Sequence, residues 1–110
     1  MSSEPPGLRI ELLTDAPESV MRLCGELDAD TASLLVTDAE QMVRRGQRHL
    51  VLDCAGVTFC DSFGLRAMLV LWDRVQPDGS VTIDRPSATL VRILEITGLI
   101  DRFQIPVTPS

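Results

Sequence analysis

The chain has 110 residues, of which 45% are hydrophobic and 4% aromatic, and its formal net charge is −6. This length predicts one domain with one core, and the apolar content predicts that the domain folds. The negative charge and the scarcity of stacking rings argue against a nucleic-acid partner, because phosphate backbones attract positive charge and single strands stack on aromatic side chains.

Two strands are predicted near the start of the chain. Residues 1–7 contain Ser, Glu and two prolines and are expected to form a flexible tail. Leu8–Leu13 and Val20–Leu27 are rich in apolar residues and are separated by a short turn, which predicts an antiparallel pair with the first strand at the sheet edge. Gly25, inside the second strand, indicates a bulge or a close backbone approach.

A helix and a central strand follow. Asp28, Asp30 and Thr31 offer N-cap side chains for a helix that runs to about Arg45, with Gly46 as its stop. Its expected apolar stripe consists of Leu35, Ala39, Met42 and Val43. The nearly all-apolar run His49–Asp53 is typical of a strand buried on both faces. The next eight residues, Cys54–Asp61, are expected to form a loop at the carboxyl end of that strand, where α/β proteins often place function.

The second half of the chain continues the alternation. Helices are predicted over Ser62–Val75 and from Ser87 to a Gly98 stop, with strands at Ser80–Asp84 and Phe103–Val107. The order ββαβαβαβ predicts one α/β domain over residues 8–107, with a mixed, mostly parallel sheet, helices packed on it and a second tail at 108–110. Six residues are singled out as buried: Leu50, Val51, Leu52, Leu69, Leu94 and Ile96. The second helix is apolar almost all round, which predicts either that it is deeply buried or that its second face meets a partner.

The sequence contains no metal-binding spacing, no nucleotide-binding motif and no segment that predicts a membrane span. The cysteines Cys24, Cys54 and Cys60 show no CxxC spacing, and His49 is the single histidine, so a zinc site is not expected and the thiols are predicted to be buried and free. Asp28 and Asp30 could form half a metal site, but helix capping explains them better. No nucleotide-binding glycine loop is present, so no cofactor is expected. The longest apolar run, Ala67–Trp72, is too short to span a membrane, and no signal peptide is predicted, which favours a cytoplasmic protein.

Ser62 is the residue of greatest functional interest. It stands where the predicted loop becomes a helix, so it could be a simple N-cap serine. Phe59 and Phe63 bracket it, and Gly64 is a poor choice for a helical turn, which points to more than a cap. A phosphate on Ser62 would be expected to meet unpaired N–H groups at the positive end of the helix dipole.

Four stretches of the chain match the motifs of one known family in the same order. They are Leu23–Asp28 with Thr31, like "x-G-x-L-D-x-x-T"; His49–Asp53 with Val57–Phe59; Asp61–Leu65, like "D-S-S/T-G-L"; and Leu94–Leu99 with Phe103. On these residues the chain resembles the STAS domain, and within it the bacterial anti-sigma factor antagonists, over about residues 8–106.

This resemblance implies a partner-switching module. Such antagonists bind an anti-sigma factor that is also an ATP-dependent serine kinase, and this binding frees the sigma factor. The kinase phosphorylates the serine that follows the Asp of the motif, which corresponds to Ser62, and the phosphorylated form lets go until a phosphatase resets it. The resemblance therefore implies a ligand and substrate of other proteins, not an enzyme.

Two features depart from the family pattern. Phe63 stands where the motif has a second Ser or Thr, which leaves one hydroxyl and adds bulk beside it. Family members usually have a further helix after the last strand, for which the sequence up to Ser110 leaves no room.

The expected partner-binding residues are Asp28, Asp30, Asp61, Phe63, Gly64 and Arg66.

Two alternatives stay open at this point. The first is a scaffold or sensor module of the same fold that binds proteins constitutively and whose Ser62 is never phosphorylated. The second is a small α/β enzyme that uses Cys60 or Ser62 as a nucleophile, because a cysteine at a helix N-terminus can have a lowered pKa.

Overall fold

The computed structural model describes residues 7–15 and 18–103, and within these ranges it contains four strands and three helices. The elements are β1 Leu8–Thr14, β2 Ser19–Leu27, α1 Ala32–Arg44, β3 His49–Cys60, α2 Ser62–Val75, β4 Ser80–Asp84 and α3 Ala88–Ile96. The predicted order is confirmed as far as α3. Of the predicted last strand, residues 104–107 lie outside the described residues, and Phe103 is buried but is not in a strand.

The sheet has the order β1-β2-β3-β4, with β1 antiparallel to β2 and the other neighbouring pairs parallel. The antiparallel edge strand and the central position of β3 are therefore confirmed. Met21, Leu52 and Ile83 lie side by side in the register and are fully buried. Leu35, Ala39 and Met42 of α1 belong to the same core cluster, as do Met68 and Leu71 of α2. The two helices thus cover one face of the sheet.

The opposite face of the sheet is more open. Val51, which alternates with Leu50 and Leu52 along β3, is half-buried, and Cys24 of β2 is exposed. The expectation that Val51 is fully buried is wrong, and so is the expectation that all three thiols are buried. Both errors have the same cause, since successive residues of a strand point to opposite faces.

Helix α3 is closed as expected but does not bury all its apolar residues. Gly98 has φ +74°, Leu99 donates to the Leu94 carbonyl at 2.9 Å and Gly98 donates to Glu95 at 3.1 Å, which together form a Schellman motif. Leu94 is fully buried, but Ile96 is 75% exposed and its predicted burial is wrong. Ile96 follows Leu94 by two residues, about half a helical turn, and therefore lies on the opposite side of the helix. Leu69 of α2 is also predicted to be buried, but it is only half-buried, because it packs at the margin of the core cluster.

The segment between the central strand and α2 is not the predicted loop. β3 continues through Cys60 because β2 pairs with it as far as Leu27, across two register shifts. One shift lies next to Gly25, whose φ of +121° confirms the predicted irregularity. The longer strand brings Cys60 beside Leu27, so the ends of β2 and β3 deliver the start of α1 and the start of α2 to the same edge of the sheet.

Candidate functional site

Asp61, and not Ser62, is the N-cap of α2. The Asp61 carboxylate oxygen Oδ1 accepts hydrogen bonds from the backbone N–H groups of Phe63 at 2.9 Å and Gly64 at 3.2 Å. Ser62 is the first residue of the helix proper. The interpretation of Ser62 as a capping serine is therefore wrong, because the residue before it satisfies the free N–H groups of the first turn.

The Ser62 side chain is exposed to solvent. Within the described part of the chain, its hydroxyl makes no hydrogen bond to another residue. Because Asp61 performs the capping, the Ser62 hydroxyl is not needed to hold the helix. The hydroxyl is therefore available for chemistry at the surface.

The first turn of α2 does not offer the anion site expected from the sequence. The N–H groups of Phe63 and Gly64 already bind the Asp61 carboxylate, and Leu65 donates to the Asp61 carbonyl at 3.0 Å. A phosphate on Ser62 would thus lie beside an existing negative charge that occupies those donors. It could gain them only by displacing Asp61.

Gly64 holds α2 close to the end of β2. A Cβ at this position would approach both the Cβ and the carbonyl oxygen of Leu27 to 2.7 Å and the sulfur of Cys60 to 2.9 Å. The backbone of Asp61 also donates to the Leu27 carbonyl at 3.1 Å. Glycine in this turn is therefore explained by packing. Since Gly64 is buried, it positions its neighbours and offers no side chain to a partner.

The turn before α1 lies next to this site and is held by its own hydrogen bonds. Asp28 Oδ1 accepts from the N–H groups of Asp30 at 3.0 Å and Thr31 at 3.2 Å, and the Thr31 hydroxyl donates to the Glu26 carbonyl at 2.6 Å. Thr31 is the N-cap residue, but its side chain makes no capping bond. Asp28 thus shapes the turn, and Asp30 is exposed beside it. Because Leu27 contacts Gly64, the structure brings this turn and the Asp61–Leu65 turn to the same end of the molecule.

The outward side of α2 carries polar residues and one large apolar residue near its start. Phe63 is 52% exposed, and Arg66, three residues further on, is also exposed on the same side of the helix. Phe59, at the end of β3, is exposed as well. Most of the other apolar residues of α2 pack on the core, including the half-buried Leu69 and Trp72. The apolar surface that α2 offers is therefore concentrated at Phe63.

Cys60 does not have the properties of a nucleophile. It is buried, and this burial, together with the nearby charge of Asp61, raises the pKa of its thiol to about 11. Burial likewise raises the pKa of the Cys54 thiol. The lowered pKa that a helix N-terminus can produce is absent, so the alternative of an enzyme that uses Cys60 as its nucleophile is not supported. Little thiolate exists at neutral pH.

A buried carboxylate on the open face was not anticipated from the sequence. Asp53 Oδ2 accepts a hydrogen bond from Arg85 at 2.6 Å and lies 3.6 Å from Arg22 Nε, and Asp53 Oδ1 accepts from the Ala55 N–H at 3.2 Å. Burial alone would raise the Asp53 pKa, but the hydrogen bonds from Arg85 and Ala55 and the arginine charges outweigh it and lower this pKa. Arg85 has φ +48° and directs the chain from β4 toward α3.

The described residues contain neither a metal-binding cluster nor a membrane span. No three or more His, Cys, Asp or Glu side chains among them are grouped so that they could hold a metal ion. None of the helices there combines the length and the apolar character needed to cross a membrane.

Comparison with known proteins identifies the family. The family profile described as "Mlab, STAS domain" matches residues 12–106. The chain belongs to the STAS domain family. A protein named anti-sigma F factor antagonist from Paenibacillus polymyxa is 29% identical over 94 residues, which cover 84% of this chain and 80% of that protein.

Solved structures show the same STAS fold. An anti-sigma factor antagonist from Mycobacterium paratuberculosis matches with a TM-score of 0.83 and 23% identity, over 97% of this chain and 92% of that one. The Bacillus cell fate determinant SpoIIAA in its phosphorylated form matches with a TM-score of 0.67 and 20% identity, over 91% of each chain. The predicted single α/β STAS domain is thereby confirmed.

Proposed function

We propose that this STAS domain is an anti-sigma factor antagonist that is switched by phosphorylation of Ser62. In this proposal it acts in the cytoplasm, binds an anti-sigma factor that is also a serine kinase, frees a sigma factor, and is reset by a phosphatase. The names of the Paenibacillus and Mycobacterium relatives support the class of partner. The observation that carries the assignment of Ser62 is its exposed hydroxyl at the first residue of α2, left free because Asp61 caps the helix.

The site explains how a phosphate would act as a switch. A phosphoserine adds about −1.5 to −2 charges at pH 7. At Ser62 these charges would stand beside Asp61, whose carboxylate already holds the N–H groups of the first turn. A partner surface that accepts a neutral hydroxyl would have to bury this charge, which is costly unless a cation pairs with it. The complex should therefore dissociate.

Variants at Ser62, purified together with the bound partner, test the switch. The Ser62→Ala variant should co-purify with the anti-sigma factor and remain bound when ATP is added, and Ser62→Asp should release it as a partial mimic. Ser33→Ala is the matched control, since Ser33 is also an exposed serine near the start of a helix, α1. It should behave as wild type. Release of the partner from Ser62→Ala on addition of ATP would contradict the proposal.

The partner surface is proposed to consist of the Asp61–Leu65 turn, the adjacent Asp28–Asp30 turn and the start of the outward side of α2. We expect Phe63→Ala to weaken partner binding about tenfold or more, because it removes the most exposed ring at the site. Arg66→Glu should weaken it as well. Arg92→Glu, an exposed arginine on α3, provides the charge control. Calorimetric titration measures the affinities, and unchanged binding by both site variants would place the surface elsewhere.

One observation favours the alternative of a constitutive binding module. The donors that would stabilise a phosphate in the free protein are occupied by Asp61. In that case the same surface binds its partner but Ser62 stays unmodified, and the partner co-purifies equally with wild type and with Ser62→Ala whether or not ATP is present.

A further inference from the structure

The outer edge of β1 carries a self-complementary pattern. β1 lies at the end of the sheet, and within the described part of the chain no strand pairs with its outer side. Its first five residues read Leu8-Arg9-Ile10-Glu11-Leu12, in which a basic and an acidic residue flank a central apolar one. From this edge we propose that the protein forms a symmetric dimer in which β1 pairs antiparallel with β1 of a second copy.

The backbone directions define which residues could pair. Glu26 donates to the Gly7 carbonyl at 2.7 Å, so Gly7 faces β2. Because neighbouring residues of a strand direct their backbone groups to opposite sides, Leu8, Ile10 and Leu12 turn their N–H and C=O groups outward. A second strand at this edge must therefore hydrogen-bond to these three residues. The register shift lies beyond Leu12, so this stretch of β1 is regular.

The charges select one register among those that the backbone allows. If Arg9 faced Arg9 of the second copy, or Glu11 faced Glu11, like charges would stand directly opposite each other, which destabilises a strand pair. With Ile10 opposite Ile10, Arg9 faces Glu11 of the second copy, and Glu11 faces its Arg9. The same register places Leu8 opposite Leu12, so all three outward-facing residues exchange backbone hydrogen bonds with the second copy.

This register also completes a row of alternating charges across the open face. Glu11, Arg22 and Asp53 lie side by side on β1, β2 and β3, with Glu11 and Arg22 3.4 Å apart and Arg22 and Asp53 3.6 Å apart. The row ends at Glu11, on the edge strand. Arg9 of the second copy would extend it with the sign that the alternation requires.

The covered face offers apolar contact at the same edge. Leu12 is 44% exposed although its neighbour in the register, Met21, is buried. Ile10, Leu12 and Met21 line a cleft of about 140 Å³ beside Met42 of α1. A second β1 would cover part of this cleft. The proposed dimer has a two-fold axis through this edge. Because β1 is used by both copies, the contact is complete with two copies.

The edge of β4 does not offer the same complementarity. β4 has only five residues, Ser80–Asp84, and antiparallel self-pairing about its centre would place Ser80 opposite Asp84 without a basic residue. The two edges of the sheet therefore differ, and the proposed contact produces a dimer and not a filament.

Sedimentation equilibrium tests the dimer. As the concentration of wild-type protein rises toward the millimolar range, the mass should rise from 12.1 kDa toward twice that value. Arg9→Glu and Glu11→Arg each create two like-charge pairs across the axis and should weaken self-association about tenfold or more. Arg92→Glu, remote from β1 in the chain, should leave it unchanged. A wild-type mass that stays at 12.1 kDa at every concentration would overturn the proposal.

Mixing the two single variants provides the decisive comparison. In a mixed dimer, the carboxylate introduced by Arg9→Glu faces the guanidinium introduced by Glu11→Arg, and the remaining native pair is also of opposite sign. The mixture should associate more strongly than either variant alone, and added salt should reduce this preference. This rescue also shows that both variants are folded. Failure of the mixture to associate, or dimers as strong as wild type in each single variant, would contradict the register.

The proposed contact uses none of the residues of the Asp61–Leu65 turn. A monomeric wild type would therefore leave the proposed switch at Ser62 untouched, and an unphosphorylated Ser62 would leave the dimer untouched.

Discussion

At the scale of single residues, the sequence alone would assign two roles to Ser62, capping of α2 and acceptance of a phosphate. In the structure Asp61 performs the capping. The carboxylate closes the first turn of α2, so the neighbouring hydroxyl carries no structural duty. Because Asp61 is the cap, modification of the Ser62 hydroxyl leaves the hydrogen bonds of the cap in place. Here the fold and the proposed switch rest on different side chains.

Substitution of Asp61 tests the capping role. We expect Asp61→Ala to lower the free energy of unfolding by about 0.5–2 kcal/mol, because two N–H groups lose their acceptor. Asp61→Asn keeps an oxygen acceptor and should lose only a fraction of this. Urea denaturation measures both. If the two variants were equally destabilised, the charge and not the hydrogen bonds would be the origin of the effect.

At the scale of elements, α3 is fixed to the core by one side of the helix. Leu94 is fully buried, and Ile96 is 75% exposed. We expect Leu94→Ala to cost about 2–5 kcal/mol, because it opens a cavity in the core. Ile96→Ala, the matched control in the same helix, should change the stability by less than about 0.5 kcal/mol. Thermal or urea unfolding measures both, and comparable losses would mean that the orientation of α3 is wrong.

The Asp53–Arg85 pair connects β3 to the segment that leads into α3. Asp53→Asn should lower the unfolding free energy at pH 7 by about 1 kcal/mol, a modest value because Arg85 is largely exposed. The native pKa of Asp53 is below its ordinary value of 3.8. The stability that ionised Asp53 contributes is thus full above pH 3.8, decreases below it and is gone once the pH passes the lowered native pKa.

Urea titrations at a series of acidic pH values measure this contribution. The wild type should lose more stability than Asp53→Asn as the pH falls below 3.8. Parallel curves for the two proteins would show that Asp53 does not carry this part of the acid sensitivity.

At the scale of the whole molecule, the order of elements and the family could be predicted from the sequence. The bounds of α2 and β4 agree with the apolar spacing and turn residues that predicted them. The motif at Asp61–Leu65 and the three other matching stretches indicated the STAS family, which the family profile confirms. Local sequence patterns predict the bounds of an element when it is amphipathic and has a stop residue, as α3 has in Gly98.

Three features that the sequence analysis missed depend on contacts between residues that are distant in the chain. The extension of β3 to Cys60 depends on its pairing with β2, which no local pattern of residues 54–60 reveals. The Asp53–Arg85 pair joins residues that lie 32 positions apart. The role of Gly64 depends on the approach of Leu27 from another element. The capping by Asp61 is a local contact, but Asp and Ser are both preferred N-cap residues, so the sequence alone did not decide between Asp61 and Ser62.

Mapping of phosphorylation in the reconstituted complex tests whether Ser62 is the switch. Purified wild type is incubated with its co-purified kinase and ATP, and the modified peptides are identified by mass spectrometry while partner release is followed by size-exclusion chromatography. We expect one phosphate, on Ser62, in step with release, and neither event in Ser62→Ala. Phosphate on another residue, or release without phosphate on Ser62, would show that Ser62 is not the switch.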